Sequence, residues 1–233
     1  KQTESGYRFI HKENLLKFNY PPTVEKSHSI MEDKNGNIWL GSSEGLTIFS
    51  SDFDKPEEIR FFFYNTENTN LSNSCIYDIF QSEKGDIWVA SFGGGLFHLE
   101  GDFVLFQTPE FKPFSRSNNR FPSDLLYDIV DDAQNNLWIL TEEAIVKFVT
   151  ETETTESFGQ VQDFRCSEDA GEKLVRRHSG FISTATNTGY FSFNPQEVKS
   201  VDYMPQIVIT RFLLFNKEPN IHEENSVIHT SAN

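Results

Sequence analysis

The sequence predicts an all-β chain built of four-stranded antiparallel β-propeller blades, ~50 residues each and too few to close a ring. Three observations carry that prediction. Trp39, Trp88 and Trp138 stand 49 and 50 residues apart. Aligning on them superposes IMEDKNGNIWL at 30–40, IFQSEKGDIWV at 79–89 and IVDDAQNNLWI at 129–139. Aromatic residues make up 14% of the chain, 23 of them Phe, which supplies surface for a large core and excludes disorder.

Each unit reads as strands in succession. LSNSCIYDI at 71–79 parallels FPSDLLYDI at 121–129, an apolar strand leading into the turn. Asn35-Gly36, Lys84-Gly85 and Asn135-Asn136 mark that turn, and Asn-Gly favours a two-residue hairpin with φ > 0. The Trp-bearing strand follows. Gly45 and Gly95 then open a third strand, GLTIF at 45–49 and GLFHL at 95–99. A looser aromatic segment, 59–64 in one unit and 103–106 in the next, reads as the fourth strand.

The expected organisation is the second half of a blade at 1–27, blades at 28–74, 75–124 and 125–164, and a degenerate last blade with its junction at 165–204. In the degenerate blade Ser183 stands where Trp should be. Residues 205–233 open with the strand-like run PQIVITRFLLFN at 205–216, read as the start of a different β domain. With no initial Met and a mid-blade start, the chain is expected to be a piece of a longer protein. Exposed blade faces then predict self-association of the isolated piece.

Twenty Lys+Arg against 35 Asp+Glu leave a formal charge of −15 and no basic run, which argues against nucleic-acid contact. Cys75 and Cys166 have no CxxC spacing. The six histidines make no HxxxH or HxH pair, so no metal and no cofactor is expected. Asp33-Lys-Asn-Gly-Asn37 has its glycine at the wrong place for a calcium loop and reads as an Asx-stabilised turn. Phe92-Gly-Gly-Gly95 precedes a strand rather than a helix, which removes the phosphate-loop reading. Glu142-Glu143 and Asp131-Asp132 are sequence neighbours that point oppositely on a strand, not a converging catalytic pair. No GxSxG elbow is present, and no catalytic residue is assigned. The tryptophans hold one repeat position, which favours blade-to-blade core over sugar-stacking platforms.

The unit IxEDxxGNIWLGSxxGL at 30–46 resembles the two-component regulator propeller repeat. FSFNP at 191–195 followed by the 205–216 run resembles that family's passage into an immunoglobulin-like Y-Y-Y domain. The resemblance implies the periplasmic sensor region of a hybrid two-component system, as in glycan-degrading gut Bacteroidetes, with an oligosaccharide or other small ligand. It also implies a homodimeric parent with the rest of the propeller, the Ig-like domain and a histidine kinase as partners; no kinase chemistry falls on this chain. Loops between the second and third strands and between blades gather on one propeller face, so Phe92, Asn119, Arg120 and Glu142 are the candidate ligand-binding residues. The competing readings are a propeller lyase or glycan hydrolase and a protein-interaction platform, since fold alone does not choose.

Overall fold

A computed structural model describes residues 2–3, 6–7, 26–50, 55, 58–118, 120–142, 144–158, 173–186 and 189–198. The chain divides into two compact units, Lys1–Ser200 and Val201–Asn233. The second, with the expected Ig-like strand at 205–216, lies outside the described residues, as does the 8–25 part of the expected half-blade. Strands β1 (Gln2–Thr3) and β2 (Gly6–Tyr7) pair as a short antiparallel ladder.

The first full blade is β3 (Ser27–Glu32), β4 (Asn37–Ser42), β5 (Gly45–Ser50) and β6 (Phe62–Tyr64), hydrogen-bonded in that order. The second is β7 (Ile76–Gln81), β8 (Ile87–Ser91), β9 (Gly95–Leu99) and β10 (Phe111–Phe114). The third is β11 (Leu126–Asp131), β12 (Leu137–Thr141), β13 (Ile145–Val149) and β14 (Thr154–Phe158). The fourth shows three strands, β15 (Leu174–Arg176), β16 (Ile182–Thr186) and β17 (Gly189–Phe193). Among the described residues all pairings are antiparallel.

The first turn of each blade departs from the expected two-residue hairpin. Asp33 N–H donates to the Asn37 carbonyl and Gly36 N–H to the Asp33 carbonyl, both at 2.9 Å. This is a three-residue loop, a type I turn closed by a left-handed residue. That residue is Gly36, Gly85, Asn135 or Gly180, with φ of 78°, 105°, 64° and 84°. Asparagine tolerates this region, so Asn135 substitutes for glycine without changing the loop.

The turn is held by a carboxylate, not by the asparagines. Asp33 Oδ1 accepts the backbone N–H of Asn35 (2.9 Å) and of Asn37 (2.8 Å), and Oδ2 accepts the Trp39 indole N–H at 2.9 Å. Asp132 does the same for Gln134, Asn136 and Trp138. Blade two has Ser82 in this place, and among the described residues Trp88 Nε1 is buried without a partner. Trp39→Phe and Trp138→Phe each remove a charge-assisted hydrogen bond, whereas Trp88→Phe removes an unsatisfied donor. Urea midpoints are therefore expected to show Trp88→Phe costing about 1–2 kcal/mol less than either other replacement.

Two strands are corrected. The expected fourth strand of blade two at 103–106 is not a strand; β10 at Phe111–Phe114 takes that place, opposite Leu96–Leu99. Residues 100–110 instead fold back on blade one. Phe103 packs edge-on to Trp39 at 4.7 Å, Phe106 meets Phe62 at 4.9 Å, and Tyr64 Oη donates to the Gln107 carbonyl at 3.0 Å. Pro113 disguised the true strand, but an edge strand tolerates proline because its outward N–H has no ladder partner to lose. The 59–64 segment shortens to Phe62–Tyr64, with Ile59 buried beside Leu40 and Phe49.

The core lies between blades. Trp39, Leu46 and Ile48 face forward onto Ile76, Ile79, Val89 and Phe97 of blade two. Trp88, Ala90 and Leu96 face Leu126, Ile129, Ile139 and Val146 of blade three. Trp138, Leu140 and Ile145 meet Leu174 and Ile182 of blade four. All three tryptophans are buried, as the repeat position requires.

Candidate ligand-binding face

The first strands β3, β7, β11 and β15 neighbour one another in that order and form the inner edge of the array. Three of them begin with a β-bulge: register shifts fall between Ser27 and Ser29, Ile76 and Asp78, Leu126 and Asp128. His28, Tyr77 and Tyr127 are the extra residues. A bulge re-aims its side chain out of the regular alternation. Here it turns three equivalent rings into one row.

His28 stacks on Tyr77 at 4.6 Å and 20°. Tyr77 stacks on Phe92 at 5.1 Å and 22°, and Tyr127 closes against both at 5.8 Å. His28 is exposed, and Tyr77, Phe92 and Tyr127 are half-buried, so the row packs below and meets solvent above. His28 Nε2 lies 2.9 Å from Ser43 Oγ in a hydrogen bond. Burial, with the nearby Lys173 ammonium, holds the imidazole below its ordinary pKa and so favours the neutral ring.

Ser43, Phe92 and Glu142 occupy one position in the second-to-third-strand loops of successive blades. Phe92 N–H donates to the Cys75 carbonyl at 2.8 Å and Glu142 N–H to the Leu125 carbonyl at 3.1 Å, tying each loop to the approach of an inner strand. The Glu142 side chain is exposed. Gly95 begins β9 at φ 83° because a Cβ there would lie 2.4 Å from the Phe114 carbonyl, and Gly45 repeats the constraint against Tyr64. Gly95 sets the tight loop that carries Phe92, and Gly45 the equivalent loop that carries Ser43.

Of the residues expected to gather with Phe92, Arg120 sends its guanidinium to the Glu153 carbonyl in the β13–β14 turn, where Glu153 also pairs with Lys112 at 2.5 Å. Asn119 lies outside the described residues. Tyr77, Tyr127 and His28 were missed by sequence reasoning. The IYDI and LYDI runs at 76–79 and 126–129 carried the signal, an aromatic repeated just before a repeated acid.

Those acids sit beneath the row. Asp78 Oδ2 accepts the Ile129 N–H of the next blade at 3.0 Å, and Asp128 Oδ2 accepts the Leu174 N–H of the blade after that. Lys173 Nζ bridges both carboxylates, 3.1 Å from Asp78 and 2.6 Å from Asp128. Burial pushes Asp78 up from its ordinary value, with Lys173 pulling the other way. Burial and the Asp78 charge push Asp128 up to about 7 against the same pull. Burial works against the Lys173 ammonium, but the two carboxylates prevail and hold its pKa above the usual value. Among the described residues no cluster of three or more His, Cys, Asp or Glu is arranged to hold a metal.

Comparison with known proteins bears on this geometry. The two-component regulator propeller family matches residues 23–44 and 70–93, the lead-in, turn and Trp strand of two successive blades. Those two segments are similar to the two-component regulator propeller repeat. Over 211 residues the chain is 22% identical to Histidine kinase P4 of Formosa agariphila, covering 90% of this chain and 15% of that protein. It superposes on the extracellular domain of the putative hybrid two component system BT4673 from B. thetaiotaomicron with a TM-score of 0.62 at 20% identity, over 83% of this chain and 25% of that one. PorZ, a surface component of the type-IX secretion system of Porphyromonas gingivalis, aligns with a TM-score of 0.57 at 19% identity, over 76% of this chain and 27% of PorZ. The shared feature is the propeller fold. The chain spans about a quarter or less of these relatives' length.

Proposed function

We propose that this propeller segment belongs to the extracytoplasmic sensing region of a hybrid two-component sensor and reads an oligosaccharide or other small ligand on its inner-edge face. The observation that carries the reading is the row His28–Tyr77–Phe92–Tyr127, raised out of the ladder by three equivalent bulges. A half-buried aromatic row suits the C–H faces of a sugar, with Ser43 and Glu142 at its margin for hydroxyl groups. Similarity to sensor-kinase proteins supports the signalling context. Asp78 and Asp128, which directly follow Tyr77 and Tyr127 in the chain, are committed to backbone amides and Lys173, which favours binding over hydrolysis. Ligand shifts the signalling equilibrium only through its different affinity for the two states.

A thermal-shift screen of the complete extracytoplasmic region against plant, host and microbial oligosaccharides tests the reading. At ~100 times its Kd, a ligand confined to the folded state adds about 2.7 kcal/mol. One glycan class is expected to raise the midpoint with no product formed. A flat panel would favour a protein partner, and product in the wells would make the protein an enzyme.

A further inference from the structure

The fourth blade is attached differently from the others. Its turn, Arg177–Gly180, matches Asp33–Gly36 bond for bond: Arg177 N–H donates to the Phe181 carbonyl at 2.8 Å and Gly180 N–H to the Arg177 carbonyl at 2.9 Å. Counting back from it, Lys173 holds the repeat position of Asp78 and Asp128, and Arg176 that of Gln81 and Asp131. Where blades two and three place polar or acidic groups along the inner edge, blade four places two cations. They make two rungs: Lys173 to Asp78 and Asp128, and Arg176 to Asp131 at 2.6 Å and Glu83 at 3.6 Å.

Its apolar attachment is thin by comparison. Among the described residues the third seam buries Trp138, Leu140, Ile145, Leu174 and Ile182, against at least twelve buried residues at each earlier seam. The forward face of blade four carries no tryptophan; Ser183 and Ser192 hydrogen-bond to each other there at 2.9 Å, and Tyr190 is 79% exposed.

We infer that blade four is latched to the array by the Lys173 and Arg176 rungs, and that the seam between blades three and four is the one along which the array opens first. This goes beyond the sensor reading and does not depend on it. Charge pairs weaken with salt while apolar packing does not. The seam between blades two and three also carries a pair, Lys112–Glu153, but it rests on twelve buried apolar residues, so the seam to blade four is the one expected to respond most. The carboxylates add a pH response. Asp128 faces Asp78 from β7 and Lys173 from β15, with His28 of β3 near Lys173, and Asp131, Glu83 and Arg176 on the second rung. Its raised pKa means folding takes up a proton. That part of the stability is present below the ordinary 3.8 and is lost as pH rises through about 7. The Lys173–Asp128 charge pairing itself is lost as pH falls below about 7, so the latch's response to salt is greatest above that pH.

Hydrogen exchange on the intact chain at 0.05 and 1 M NaCl tests this, comparing Leu174–Arg176 and Ile182–Thr186 with Ile76–Gln81 and Ile87–Ser91. Blade-four amides are expected to exchange at least tenfold faster at high salt while the blade-two amides change less than twofold. Lys173→Met should raise blade-four exchange at low salt and leave it with little further rise at 1 M NaCl. If the variant does not fold, the wild-type salt series still decides. Equal salt responses in blades two and four would overturn the latch, as would a blade four that is the slowest to exchange at both salt concentrations.

Discussion

Asp132→Ala is expected to lower unfolding stability by about 3 kcal/mol, seen as an earlier urea midpoint with an unchanged slope. The carboxylate is buried and accepts from two backbone amides, the Asn136 side chain and the Trp138 indole. Removing it strands several donors together, and the buried indole cannot recover water. Asp132→Asn keeps one acceptor oxygen and should cost about half as much. An alanine variant within ~0.5 kcal/mol of the parent would show that the turn does not depend on this carboxylate.

Gly95→Ala should cost about 3 kcal/mol, on two grounds acting together. The backbone lies at φ 83°, and the new methyl would meet the Phe114 carbonyl at 2.4 Å and Ser115 Cα at 3.1 Å. Neither is a flexible side-chain end, so β9 and β10 must separate. Gly101→Ala is the control, with φ of 76° and nothing within 4 Å of the added methyl. It carries only the backbone term, about 1–2 kcal/mol. Calorimetric midpoints that rank the two variants equally would remove the close approach from the explanation.

The repeat was legible because one turn chemistry recurs. Asp33 and Asp132, the left-handed third residue and the tryptophan are local in sequence, and periodicity exposes them. What stayed hidden depends on neighbours distant in the chain. The 103–106 segment has the aromatic character of a strand, yet Phe103 finds its burial on Trp39 of the previous blade. Residues 111–114 look unlike a strand because Pro113 matters only where its N–H would be needed. The aromatic row depends on bulges, which add a residue without leaving a compositional mark. Lys173 went unread for another reason: Ser183 aligned blade four in the sequence, but the partners Asp78 and Asp128 lie 95 and 45 residues away and meet Lys173 only in the fold. Phe92 was reached from loop position alone; its neighbours Tyr77 and Tyr127 needed the fold.

The most direct test is calorimetric titration of the midpoint-raising glycan into the complete extracytoplasmic region and into a variant carrying Tyr77→Ala and Tyr127→Ala. The account predicts saturable binding to the parent protein and at least a tenfold loss of affinity in the folded variant, with the glycan recovered intact. Undiminished affinity in that variant would contradict the claim that the bulged aromatic row is where this propeller reads its ligand.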